Sequence, residues 1–317
     1  MFLGIEIGGT KLQLGVGAGD GHLAGLWRGP VDVSAGPEGI RRQIIQAVPE
    51  LLKQSKIDRA RIKGIGIGFG GPVDDHSHTI IKSHQIEGWD NFPLENWLAD
   101  LLGMPAVLGN DADVAGLAEA LFGAGKGLSP IFYVTIGSGI GGGLIINGEI
   151  YRGCGRGAAE IGHLKVRELG DGVRYLPLEE HASGWAVSRK AGVALSRGVP
   201  PSLQNVRLNP DGFLTAEQIA QAASQHDALA LSILRGAQSH LADAICHVIA
   251  LLCPRRIVIG GGVSLMGEEL LFAPLRNMVA ERVFKPFADC YEIVPAALGE
   301  EVVVHGALAL AKRRLGR

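Results

Sequence analysis

The chain has 317 residues, 47% of them hydrophobic, and 47 are glycine. That length is generous for one domain and comfortable for two, with a core of ordinary size. The formal net charge is −2, so no basic surface points to nucleic acid or an anionic membrane, and no apolar run approaches the roughly 20 residues that span a bilayer.

The N-terminus, Met1-Phe2-Leu3-Gly4-Ile5-Glu6, enters a strand directly, with no basic leader and no long apolar stretch. This predicts a cytoplasmic protein. Cys154, Cys246, Cys253 and Cys290 form no CxxC pair. Cys246 and Cys253 fall on one apolar helix, where reduced, buried thiols pack like small hydrophobes.

Residues 2–16 read as a β-hairpin, with Gly8-Gly9-Thr10-Lys11 between an apolar strand and an alternating one. Residues 24–33 read as a third strand. Helical spacing runs from Pro37 to Lys56, with Pro49 expected to break or kink it. Lys63 to Phe69 is a short strand running into Gly70-Gly71-Pro72-Val73-Asp74, a turn by composition. A helix over 94–102 and a strand over 106–108 lead to Gly109-Asn110-Asp111, and an alanine-rich helix follows over 112–123.

The plan then repeats. Residues 131–146 form a second strand pair around Thr135-Ile136-Gly137-Ser138-Gly139, followed by a glycine-rich loop over 152–162. Helices are predicted over 181–198, 215–225 and 227–252. A buried strand over 256–259 ends at Gly260-Gly261-Gly262. A strand over 291–294 and a closing helix over 304–314 complete the chain. Alternating strands and helices, with a hairpin opening each half, indicate α/β layers. We expect one domain over 1–112, with 305–317 returning to it as a closing helix, and a second over 113–304.

Tight turns between antiparallel strands favour glycine, and a turn without side chains lets backbone N–H groups converge on an anion. Either glycine run alone reads as a plain hairpin. Two copies with matching strands suggest a duplicated α/β unit gripping a polyphosphate. Asn110-Asp111 stands where a strand gives way to a helix. A carboxylate there faces the ligand crevice of an α/β sheet, but Asn and Asp are also favoured helix caps. Both roles fit if Asp113 does the capping. Glu160 and His163 flank Gly162, a pattern suited to hydroxyl recognition or a metal, or to a surface loop. Glu179 and Glu180 open a helix, where acidic side chains also suit the dipole.

Taken in order, these pieces resemble the ROK family of sugar kinases and repressors. The matches are Gly8-Gly9-Thr10-Lys11, Gly71-Pro72-Val73, and Asn110-Asp111-Ala112-Asp113 with Glu119 and Gly123-Ala124-Gly125. They continue with Thr135 to Gly143, Glu160-Ile161-Gly162-His163, and Gly260-Gly261-Gly262. The resemblance covers essentially the whole chain. It implies a two-domain actin/hexokinase-like (ribonuclease H-like) fold of the α/β class, duplicated around a central interdomain cleft. It also implies ATP-dependent phosphorylation of a hexose hydroxyl, with glucose leading and fructose, mannose or an N-acetylated amino sugar as alternatives.

In that reading Asp111 is the general base. Gly71, Asn110, Asp111, Glu160, His163 and Glu179 contact the sugar. Gly8, Gly9, Thr10, Lys11, Thr135, Gly137, Ser138 and Gly139 hold the phosphates, and Gly260, Gly261 and Gly262 lie on the adenosine side. Mg²⁺ travels with ATP, with Glu6 as a candidate contact through water.

Three departures stand out. Glu6 replaces the family's usual Asp, and Asp113 replaces the second Asn of the signature. The family's cysteine-rich zinc loop is replaced by Glu168 to Glu179, which has no cysteine. A tetrahedral zinc needs four ligands, so no structural zinc is expected. Family repressors carry a DNA-binding module ahead of the first glycine turn, and the segment before Gly8 is too short for one. A catalytically silent sugar-binding or regulatory protein is the remaining alternative. Family precedent suggests a homodimer or homotetramer.

Overall fold

A computed structural model describes residues 1–83, 86–168, 174–195, 208 and 212–316. The strands are β1 (Phe2–Ile7), β2 (Lys11–Gly17), β3 (Leu23–Pro30), β4 (Ile65–Phe69), β5 (Val73–Asp74), β6 (Thr79–Ile80), β7 (Ala106–Asn110), β8 (Ile131–Ile136), β9 (Ile140–Ile146), β10 (Glu149–Ile150), β11 (Lys165–Glu168), β12 (Arg174–Pro177), β13 (Arg256–Gly260) and β14 (Ile293–Pro295). The helices are α1 (Gly36–Gln54), α2 (Leu94–Leu102), α3 (Asp111–Phe122), α4 (Glu179–Ala182), α5 (Gly184–Leu195), α6 (Ala216–Ser224), α7 (Ala228–Leu252), α8 (Ala273–Arg282) and α9 (Val302–Leu315).

Two five-stranded sheets follow one plan. The first has the order β3-β2-β1-β4-β7 and the second β10-β9-β8-β13-β14. In each, the opening hairpin and the strand that follows it are three neighbours, and two later strands extend the sheet from the hairpin's first strand. The duplication expected from the two glycine turns is therefore present in the topology. The chain divides into two compact units, Met1–Tyr133 with Gly143–Ala159 and Ala297–Arg317, and Val134–Gly142 with Glu160–Ala296.

The first unit shows how strand alternation sets its layers. On β1 and β4, Leu3, Ile5, Ile7, Ile65, Ile67 and Phe69 share one core with Ile40 and Ile44 of α1 and Leu94 and Leu98 of α2. The intervening residues, Gly4 and Gly66, face α9. A Cβ on Gly66 would stand 1.8 Å from the Ala307 carbonyl oxygen, so glycine is what admits the helix backbone. α3 packs on α9, and the fully buried Glu119 fixes the return of the chain. Its carboxylate accepts from the Ala124 N–H at 2.7 Å and from Ala297 and Leu298 N–H at 2.9 Å each. A carboxylate with three backbone donors is well compensated for its burial.

Several expectations are corrected. α1 runs unbroken through Pro49, held by Ile40, Ile44, Ala47, Val48 and Leu51 on its buried face. The third strand stops at Pro30, because the Asp32 side chain accepts from Ser34 N–H at 2.9 Å and starts a short 3₁₀ turn. Val73–Asp74 is not a plain turn but pairs with Thr79–Ile80. The helix predicted over 181–198 is two helices, parted at Ser183, whose backbone is extended and whose hydroxyl accepts from Ala186 N–H at 3.1 Å. Its residues 196–198 lie outside the described residues. The cysteines are free but not buried: Cys154 is exposed and the other three are half-buried. Cys253 ends α7 as its left-handed C-cap.

Candidate functional site

In the first unit, β1 and β2 deliver the first glycine turn, with the Gly8 N–H bonded to the Lys11 carbonyl at 3.1 Å. Thr10 is exposed, and Gly8, Gly9 and Lys11 are half-buried. Lys11 Nζ lies 3.5 Å from a Glu6 carboxylate oxygen and 3.2 Å from the Glu300 carbonyl. Gln13 Nε2 also donates to Glu6, at 2.7 Å. Glu6 is buried, and burial pushes its pKa up to about 7 against the pull of Lys11 and Gln13. The negative charge of Asp111 adds to the rise.

β7 ends at Asn110, which caps α3. Its Oδ1 accepts from Ala112 N–H at 2.9 Å and Asp113 N–H at 3.2 Å, while its Nδ2 donates to the Gly71 carbonyl at 3.0 Å. The cap is therefore Asn110, one of the two residues whose type favours capping, and not Asp113. Asp113 is 2% exposed and pairs instead with Arg152, at 2.5 Å. Arg152 also grips Asp75, at 2.8 and 2.9 Å, and donates to the Val73 carbonyl at 3.2 Å. The charge that Asp113 adds to the signature is neutralised by a residue that sequence reasoning missed.

With capping done by its neighbour, Asp111 begins α3 half-buried, with Oδ1 accepting from Ala112 N–H at 2.8 Å. A Cβ built on Gly70 would lie 3.5 Å from Asp111 Oδ2 and 3.8 Å from Gly8 Cα. Asp111, the first glycine turn and the Gly70-Gly71 turn thus meet within the first unit. Gly71 is buried, and a Cβ there would stand 2.5 Å from the Lys82 carbonyl oxygen.

In the second unit, β8 and β9 deliver the second glycine turn. Thr135 is half-buried, Ser138 is exposed, and the Gly137 N–H bonds to the Gly139 carbonyl at 2.9 Å. Gly184, at the head of α5, donates to the Gly137 carbonyl at 2.8 Å. A Cβ on Gly139 would lie 3.1 Å from Glu179 Oε2. On the next residue, the Ile140 carbonyl oxygen would stand 2.0 Å from a Cβ on Gly162. Gly162 sits in the 3₁₀ turn Ile161–His163, whose ends carry the exposed side chains of Glu160 and His163. The start of β9 therefore gathers Glu179, the Glu160–His163 turn and the second glycine turn.

Gly260 is buried at the end of β13. Gly261 has φ +83°, and a Cβ there would lie 2.6 Å from the Ile136 carbonyl oxygen. Gly262 lines a cavity of about 970 Å³ together with Gly137 and Ser138. Trp185, Arg189, Phe213, Glu217 and Leu265 line the same cavity, and none was singled out from sequence. Where a cysteine-rich loop was expected to be lost, β11 and β12 pair as a hairpin, with Glu168 opposite Arg174. Residues 169–173 lie outside the described residues. Among the described residues, no group of three or more His, Cys, Asp or Glu is placed to hold a metal.

The ROK family model matches residues 2–314. The chain belongs to the ROK family. A glucokinase from Halalkalibacterium halodurans is 31% identical over 99% of this chain and 95% of that protein. A xylose repressor from Caldicellulosiruptor bescii is 25% identical over 86% of this chain and 68% of its own length. Among solved structures, a ROK glucokinase from Streptomyces griseus in complex with glucose and AMPPNP is 29% identical, with a TM-score of 0.80 over 98% of this chain and 99% of that one. The ROK fold, two α/β sheets with a repeated strand order, is the actin/hexokinase-like arrangement expected from the motifs.

Proposed function

We propose that this chain, an ATP-dependent sugar kinase, phosphorylates a hexose hydroxyl, glucose first, with Asp111 as general base. The observation that carries this reading is the position of Asp111. Its carboxylate heads α3 beside Gly70 and Gly8, with Asn110 as the N-cap of the helix and its own Oδ1 on the Ala112 N–H. A base must reach the proton it takes, and geometry comes before pKa in choosing one.

Phosphoryl transfer asks the protein for alignment and charge neutralisation more than for covalent chemistry. Asp111 accepts the proton as the hydroxyl oxygen bonds to the terminal phosphorus, and the bond to the bridging oxygen of ADP breaks. The amides of Gly137 to Gly139 and the Ser138 hydroxyl share charge on the phosphates, as do Thr10 and Lys11. Lys11 reaches a phosphate by giving up its contacts with Glu6 and the Glu300 carbonyl. Asn110, Glu160, His163 and Glu179 supply hydrogen-bond partners for a polyol, whose buried hydroxyls are costly when unpaired.

Magnesium, carried on the nucleotide's phosphates, would lower their negative charge. Glu6, engaged here by Lys11 and Gln13, is the residue that would contact the metal through a water.

The test is ADP release from ATP across a panel of glucose, fructose, mannose and N-acetylated amino sugars. Glucose is expected to give the highest kcat/KM. Turnover of another sugar ahead of glucose corrects the substrate. No sugar-dependent ADP release would mean a sugar-binding protein without kinase activity.

A further inference from the structure

The cavity in the second unit carries more information than the glycines at its edge. Its volume of about 970 Å³ suits a nucleotide-sized ligand. Its lining gathers large apolar side chains that are exposed, with Leu265 at 84%, Trp185 at 51% and Phe213 at 37%. Exposed apolar groups collected in a concavity mark a place where something flat and apolar binds.

Trp185 is also held in place. The Arg189 guanidinium stands 4.4 Å from the indole ring centroid. Arg189 is fixed in turn by the Glu180 carboxylate at 3.0 Å and the Glu180 carbonyl at 3.1 Å. A cation on an aromatic face orders the ring before a ligand arrives, which lowers the entropy lost on binding.

Two polar side chains of the lining are committed to the fold. The Ser188 hydroxyl donates to the Gly184 carbonyl at 2.9 Å, and the Thr215 hydroxyl oxygen accepts from Gln218 N–H at 3.2 Å. A site that tells one base from another needs donors and acceptors fixed against the base edge. Glu217, exposed in the first turn of α6, is not held by burial at any one position on a base edge.

We propose that the purine of the phosphoryl donor stacks on Trp185 and is read by its flat face rather than by its edge. Purine nucleoside triphosphates are then accepted with little distinction between them. The inference rests on the kinase reading for its phosphoryl donor, but its central contact can be measured without turnover.

The experiment compares wild type, Trp185→Ala and Trp185→Phe with ATP, GTP and CTP at saturating sugar. It adds a titration of intrinsic fluorescence with ADP and GDP. Loss of a base–aromatic stack is expected to raise KM for ATP by roughly 5- to 150-fold in Trp185→Ala. Sugar KM and kcat at saturating ATP stay as in wild type, and Trp185→Phe keeps most of the ATP affinity. ATP and GTP differ by less than about tenfold in kcat/KM, a gap smaller than edge readout by hydrogen bonds produces. ADP and GDP quench the wild-type tryptophan signal, and the quench is lost in Trp185→Phe.

An unchanged ATP KM in Trp185→Ala, or an ATP preference of about 100-fold or more over GTP, overturns the inference. If no sugar is phosphorylated, the kinase reading fails and the titration alone judges this contact. Quenching by both diphosphates that disappears in Trp185→Phe supports it, and absence of quenching overturns it.

Discussion

Arg152 Nη1 lies 2.5 Å from the carboxylate of Asp113, a side chain 2% exposed in the first turn of α3. The pair is part of a larger clasp, because the same guanidinium holds Asp75 and the Val73 carbonyl. Removing the cation leaves a buried, uncompensated charge, which costs about 3–5 kcal/mol. Arg152→Ala is therefore expected to lower the urea unfolding free energy by that amount. Asp113→Asn in the same chain should recover part of the loss, since it removes the stranded charge. A loss below about 1 kcal/mol, the range of a surface pair, would show that the clasp contributes little.

Glu6 gives the first unit a pH dependence with a definite sign. Its carboxyl titrates near 4.5 when unfolded and about 7 when folded. Between those values the folded chain holds a proton that the unfolded chain has released. The stabilisation is fully present below about pH 4.5, is lost as pH rises to about 7, and stays lost above it. Glu6→Gln removes this slope but also the contact with Lys11. The variant is expected to gain about 1–3 kcal/mol on wild type between pH 5 and pH 8. Urea denaturation at the two pH values measures it, and a variant-to-wild-type difference that does not change with pH contradicts it.

Gly162 has a packing reason for its place between Glu160 and His163. A Cβ there would stand 2.0 Å from the Ile140 carbonyl oxygen, and backbone cannot swing aside as a long side chain can. Gly162→Ala must lift the Glu160–His163 turn away from β9. A displacement of about 1 Å at a substrate contact can cost roughly 100-fold. Sugar kcat/KM is expected to fall by about that factor, with nucleotide affinity retained and circular dichroism unchanged. Wild-type sugar kinetics would mean that the turn does not position substrate.

The elements that sequence reasoning found best are those whose signal is local. Glycine between an apolar and an alternating strand defines both hairpins, and the matching sheet orders follow from repeating that unit. The alanine-rich run over 112–123 points to α3 by composition, within one residue at each end. What stayed hidden depends on partners far along the chain. Arg152 carries no local mark, and its role exists only because folding brings Asp75 and Asp113 to it. Trp185 looks like an ordinary apolar helix residue until the cavity leaves it exposed. The break at Ser183 and the early stop of β3 at Pro30 each turn on one side-chain oxygen taking a backbone N–H, a choice that periodicity cannot see.

Asp111 is the residue on which the proposed phosphoryl transfer turns. The measurement that tests it is single-turnover phosphorylation by Asp111→Asn, with glucose and nucleotide binding measured alongside. The account predicts near wild-type affinity for both ligands and a rate lower by about 100- to 10,000-fold. Phosphorylation at close to the wild-type rate would contradict it.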